Sequence, residues 1–155
     1  ILENSCGIRV PGNIDLNLRE KKKRLVDFHS NYHNSLDKFV KKKEKKYKEL
    51  SLVAIHSFTK NYLEINRGVE IGLLWNKNMK MLLPIQKELT KKKIFFGRNY
   101  PYSGFFYNYT LDRHSQKGVL NNISLEIRND LLCNKKRINK YIHLFSEVLR
   151  EFVYD

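Results

Sequence analysis

From Leu18 to Leu50 the apolar residues Leu25, Phe28, Tyr32, Leu36, Phe39 and Val40 recur at three- and four-residue steps. That spacing lines one face of a helix and predicts a single long amphipathic helix over 18–50, fraying at its Lys-rich end. The residues before it, 1–17, read as a loop punctuated by Pro11-Gly12-Asn13. After it the period changes. Ser51 to Phe58 (SLVAIHSF) is an apolar run too short for a helix and predicts a buried strand that delivers His56 near its carboxyl end. Val69 to Trp75 (VEIGLLW) predicts a second strand, Ile94-Phe95-Phe96 a third, and Ile123 to Arg128 (ISLEIR) a fourth. Between them, residues 78–92 carry a helical pattern with Pro84 as its weak point, since an interior proline kinks or breaks a helix. Residues 97–118, rich in Gly, Asn and Tyr, predict a long loop. Ile138, Tyr141, Ile142, Phe145, Leu149 and Phe152 mark a last helix over 135–154. Strands alternating with helices predict an α/β fold, one largely parallel sheet with helices on its faces. With no internal repeat and no linker, residues 1–155 are expected to form a single domain.

Composition fits that picture and narrows the class. The 155 residues are 41% hydrophobic and 12% aromatic, enough for one core and too much for global disorder. No apolar run approaches the roughly 18–20 residues that cross a bilayer, so no membrane insertion is expected. The start, ILENSCGIRVPGN, is too polar for a cleavable signal peptide. Cys6 and Cys133 make neither a disulfide scaffold nor a Cys-rich zinc module, and they fit a reducing compartment, cytoplasmic or mitochondrial. The chain does not begin with Met, which reads as a processed, partial or split product.

Charge adds a possible partner. Lys plus Arg number 30 against 16 acids, a formal net charge of +14. The excess sits in blocks, among them Lys21–Arg24, Lys91–Lys93, Lys135–Arg137 and the run containing Lys41, Lys42, Lys43, Lys45 and Lys46. Such runs can neutralise phosphates. They equally form solvated helix faces, and no recognised nucleic-acid motif accompanies them.

In open α/β sheets, functional groups collect beyond the carboxyl ends of strands. His56-Ser57-Phe58-Thr59, the 99–114 loop and Glu126-Ile127-Arg128 fall there. Glu126 and Arg128 share a strand face, with Ile127 opposite, and the loop offers Asn99, Tyr102, Tyr109, Arg113 and His114 as polar lining. One His, one Glu, one Arg and a polar loop together suit a hydrolase pocket, although each also has an ordinary structural reading.

The order of these segments is itself informative. Val10-Pro11-Gly12-Asn13, Tyr32-His33, His56-Ser57-Phe58-Thr59, Ile71-Gly72-Leu73-Leu74-Trp75-Asn76, Asn99-Tyr100-Pro101-Tyr102-Ser103-Gly104, Tyr109-Thr110-Leu111-Asp112-Arg113-His114 and Leu125-Glu126-Ile127-Arg128-Asn129-Asp130-Leu131 follow one another as in the N-formylglutamate amidohydrolase family, which the chain resembles from about residue 8 to residue 133. The resemblance implies a zinc hydrolase with a three-layer αβα, carboxypeptidase-like (phosphorylase/hydrolase-like) fold that cleaves the formamide of N-formyl-L-glutamate. By the same resemblance His56 is the expected zinc ligand and Glu126 the general base. Ser57, Asn99, Tyr102, His114 and Arg128 are then the expected substrate-holding residues.

Two departures go with it. Family members carry an upstream segment with a Ser-Cys-Glu-His-Ala-like motif that supplies the first zinc ligands. This chain starts after that motif, and Ser5-Cys6-Gly7 does not replace it. The fold is therefore expected to be incomplete at its N-terminal side and to be covered there by a missing segment or a second chain. Lys60 stands where the family has Pro after HSFT. Three functions fit: an amidohydrolase completed by another polypeptide; an inactive homologue acting as a basic structural subunit of an RNA–protein assembly such as an organellar ribosome, with Lys41, Lys42, Lys43, Lys45 and Lys46 on the RNA; or a basic α/β domain with another acidic partner.

Overall fold

The computed structural model describes residues 1–5 and 8–153, so the expectations attached to Cys6 and Gly7 lie outside the described residues. The chain divides into two compact units, Ile1–Lys45 and Lys46–Asp155.

The first unit opens with a small antiparallel hairpin, β1 (Asn4–Ser5) with β2 (Ile8–Arg9). Pro11–Asn13 form a 3-10 turn. Asn13 uses both ends of its amide: Nδ2 donates to the Leu2 carbonyl at 2.8 Å, and Oδ1 accepts from Arg24 Nη1 at 2.9 Å. Helix α1 (Leu18–Arg24) starts with a capping box in which Asn17 and Glu20 satisfy each other's backbone N–H groups. It passes through a π-helical segment, Leu25–Ser30, into α2 (Asn31–Glu44).

The expected single helix over 18–50 is thus interrupted by π geometry and ends at Glu44. After Val40 no apolar side chain recurs for a further turn to bury, while Lys41, Lys42 and Lys43 in the last turn suit the negative end of the helix dipole. Val40 is buried, whereas Leu25, Phe28, Tyr32 and Phe39 are exposed.

The second unit is built on a four-stranded sheet in the order β3 (Ser51–Phe58), β8 (Asn121–Arg128), β6 (Ile71–Leu74), β7 (Phe96–Arg98). The β3–β8 and β6–β7 ladders are parallel and the β6–β8 ladder is antiparallel, so the sheet is mostly parallel and helices flank it in an αβα arrangement.

One face carries the core. Ile71, Leu73, Ile123, Leu125 and Ile127 meet Met81, Leu82, Ile85 and Leu89 around α3 (Leu82–Lys91), and Tyr141, Leu144, Phe145 and Val148 from α6 (Lys135–Val148). Burying an aliphatic or aromatic side chain of this size is worth about 1.5–3 kcal/mol. Pro84 does not break α3, because it sits in the first turn, where the backbone N–H has no partner within the helix. Glu70 fastens α6 to the sheet: its carboxylate accepts from the Tyr141 hydroxyl at 3.1 Å, and its backbone joins Phe95 and Arg128. Burial, followed by the neighbouring Glu70 carboxylate, pushes the Tyr141 phenol well above its ordinary value, so it stays a donor.

Several boundaries differ from the sequence pattern. The third strand is Phe96–Arg98, two residues later than expected. The 97–118 segment contains two short helices, α4 (Gly104–Tyr107) and α5 (Tyr109–His114), the second of which packs on β3 and β8. An unanticipated hairpin, β4 (Asn61–Tyr62) with β5 (Ile65–Asn66), turns through Leu63 and Glu64, both at positive φ. Turns of this kind ordinarily advertise themselves with Asn-Gly or Asp-Gly.

The Asn99–Ser103 loop lies directly on the sheet. A Cβ built at Gly72 would stand 2.5 Å from the Tyr100 carbonyl oxygen and 3.2 Å from the Glu126 Cβ, and one at Gly97 would meet Tyr100 at 3.0 Å. Gly104 leaves no room beside the Trp75 backbone. Gly72→Ala is therefore expected to cost about 1–3 kcal/mol by overpacking. Gly68→Ala, whose Cβ would meet only Phe95 at 3.9 Å, should stay within about 0.5 kcal/mol of wild type. Urea midpoints at constant m-value measure both.

Candidate active site at the His56–Glu126 row

The parallel β3–β8 ladder makes His56 and Glu126 direct partners, near the carboxyl ends of both strands. The row continues across the sheet through Gly72 on β6 and Gly97 on β7. Residues paired in this way share a face, so the row runs His, Glu, Gly, Gly, and its two bare positions receive the Tyr100–Pro101 peptide, which is cis. Glu126 is only 8% exposed, and its Oε2 is buried with no hydrogen-bond partner among the described residues. Burial raises its pKa above the ordinary carboxylate range, while the nearby charges of His56 and then Arg67 pull it back in part. His56 itself is exposed.

Arg67 is the arginine whose charge acts on Glu126, and sequence reasoning did not single it out. It leaves the β4–β5 hairpin with its backbone N–H bonded to the Lys60 carbonyl at 2.8 Å, and it is 6% exposed. Its guanidinium lies 4.6 Å from the centre of the Tyr62 ring and 4.9 Å from that of Tyr102, and Nη1 donates to the Tyr102 hydroxyl at 3.0 Å. Lys60 has an exposed side chain.

The other expected residues divide. Tyr102 stands on the loop over the row and joins the site through Arg67. Asn99, at φ 47°, is the loop's anchor: its backbone N–H donates to the Leu73 carbonyl at 2.8 Å, and its Oδ1 accepts from the backbone N–H groups of Trp75 and Gly104. Arg128 is held elsewhere, donating to Asp130 at 2.7 Å and to the carbonyls of Gly68 and Val69. Ser57 pairs with Ile127, so strand alternation turns it to the face opposite Glu126. His114 is buried at the end of α5. Arg113 donates to the Tyr109 hydroxyl at 3.1 Å. Lys41, Lys42 and Lys43 close α2, and Lys45 and Lys46 follow it as exposed residues.

Among the described residues no three His, Cys, Asp or Glu side chains converge as metal donors. A catalytic zinc takes three protein ligands, so His56 beside Glu126 does not by itself complete such a centre. What the arrangement offers chemically is a desolvated carboxylate, an accessible imidazole and a buried guanidinium on one sheet face.

The chain is similar to proteins of known structure. The crystal structure of gene product Atu2144 from Agrobacterium tumefaciens superposes with a TM-score of 0.81 at 28% identity, covering 93% of this chain and 59% of that one. The N-formylglutamate amidohydrolase from Ralstonia eutropha JMP134 does so with a TM-score of 0.68 at 19% identity, covering 89% of this chain and 56% of that one, a likeness of fold. The chain therefore spans less than two thirds of the length of either protein. No curated protein matches it significantly. The family model for N-formylglutamate amidohydrolase matches residues 5–133. That match takes in every strand of the main sheet and both members of the His56–Glu126 pair, and on that ground the chain belongs to the N-formylglutamate amidohydrolase family.

Proposed function

We propose that this chain carries part of an amidohydrolase site, in which Glu126 handles the proton of an attacking water during cleavage of the amide bond of an N-acyl amino acid. N-formylglutamate is the substrate named by the family and by the Ralstonia eutropha protein. The observation that supports this reading is the pairing of His56 with a buried Glu126 whose Oε2 has no hydrogen-bond partner among the described residues, at the carboxyl ends of two parallel strands. A carboxylate accepts a proton from water most effectively when its pKa is lifted towards the working pH, and burial moves Glu126 in that direction. The hydroxide adds to the acyl carbon. The proton held on Glu126 then passes to the departing nitrogen as the C–N bond breaks, leaving a free acid and an amine. His56 stands beside this exchange as the exposed neighbour in the row. The zinc that the family resemblance implies would need donors beyond the described residues, and no step here runs through it.

The protonation state of Glu126 can be tested through stability. A carboxyl whose folded-state pKa is raised contributes stability that is fully present below its unfolded value and lost as pH rises through the folded one. Glu126→Gln removes that loss. Its melting temperature is expected to equal or exceed wild type near neutral pH, with the gap narrowing as pH falls below the ordinary carboxylate range. Thermal melts across that range check it, and a gap independent of pH would show that folding does not raise the Glu126 pKa.

Activity gives the second test. Because the zinc donors of the described residues are incomplete, the 155-residue chain alone is expected to release no formate from N-formylglutamate. In a polypeptide or assembly that does release it, Glu126→Gln should keep the fold and slow release by about a hundred- to ten-thousand-fold. A wild-type rate in that variant would remove Glu126 from the reaction, and zinc-dependent release by the isolated chain would overturn the incomplete-site reading.

A further inference from the structure

We infer that the Arg67 guanidinium, lying against Tyr62 and Tyr102, is a carboxylate-binding group that holds the ligand's acid beside Glu126. The inference deepens the hydrolase reading by naming the residue that recognises the substrate's acid group, and rests on that reading for the identity of the bond cleaved.

Arg67 is 6% exposed, and among the described residues no carboxylate lies within ion-pair distance of it. A buried cation without an anion is costly and is ordinarily paired. The guanidinium has five N–H donors, and the Tyr102 hydroxyl at 3.0 Å takes the one side-chain hydrogen bond it makes among the described residues. The Tyr62 and Tyr102 rings offset part of the desolvation by cation–π attraction, which uses the π faces of the rings and leaves the other N–H donors to be satisfied. Glu126 is near enough to feel the charge, yet its Oε2 has no hydrogen-bond partner among the described residues. The fork is therefore left for an acceptor that the described residues do not supply.

Three observations favour a carboxylate from the ligand. The planar fork matches a carboxylate in two parallel hydrogen bonds. The neighbouring Glu126 carboxylate penalises a more highly charged anion such as a phosphate. And the group is fixed in place, because the hairpin holds its backbone at Lys60 while Tyr102 is carried by the loop that Gly72 and Gly97 admit. Arg128, the arginine expected for this role, has its donors on Asp130, Gly68 and Val69.

Binding, not turnover, tests this. In full-length protein labelled with 15N-arginine, glutarate is expected to shift the Arg67 Nε–Hε resonance saturably, and glutaramide, the same skeleton without charge, is expected not to. Arg67→Lys should weaken glutarate binding about tenfold or more by calorimetry, since it keeps the charge and loses the fork, and Arg67→Met should abolish it. An unmoved Arg67 resonance, equal binding of glutaramide, or inorganic phosphate binding as tightly as glutarate would each overturn the assignment. The wild-type titration decides even where Arg67→Met does not fold. Glutarate binding with no hydrolysis in any assembly would sink the role of Glu126 and leave the Arg67 site standing. Hydrolysis with glutarate binding unchanged in Arg67→Lys would do the reverse.

Discussion

Tyr100 can lie where it does only because β6 and β7 present hydrogen atoms instead of side chains at Gly72 and Gly97. The rest of the site depends on that close approach. With the loop against the sheet, Asn99 tucks its Oδ1 onto the N–H groups of Trp75 and Gly104, and its φ of 47° turns the chain back across the row. Tyr102 then arrives within reach of Arg67. A methyl group at position 72 would act on all of these at once.

The sheet also separates its two tasks by parity. Along β8, Ile123, Leu125 and Ile127 enter the apolar core with α3 and α6, while Asn122, Ser124 and Glu126 alternate onto the other face. Both sets are buried. The apolar set supplies stability by leaving water, and the polar set is desolvated, which in Glu126 moves the carboxyl away from its ordinary pKa. Placing Glu126 on a strand whose alternate residues are locked into the core fixes its position more tightly than a loop would.

Much of this was legible in the sequence where period and position coincide. ISLEIR declares both faces of β8, and HSFT at the end of an apolar run places His56 at a strand terminus, whereas the register that makes the two residues direct partners is visible only in the structure. What was not legible has particular causes. The β4–β5 hairpin turns on Leu63 and Glu64, residues that carry no turn signal, so the element that presents Tyr62 and leads to Arg67 was invisible. Arg67 lay in a loop-like stretch where a charged side chain reads as solvated, and only its burial distinguishes it. Arg128 drew attention because it shares a face with Glu126, but Asp130 and two carbonyls claim its donors. The helical pattern from Leu18 ran past its true end because Lys, a good helix former, hides a missing apolar period.

β3 hydrogen-bonds to β8 on one side only among the described residues, and it therefore forms one border of the sheet. The row that starts at His56 has a geometric next position outside that border. Any strand laid along β3 would run about 4.8 Å from the β3 backbone, and its residue opposite His56 would share the face of Glu126. The row would then continue by one position beyond the imidazole, set by sheet spacing.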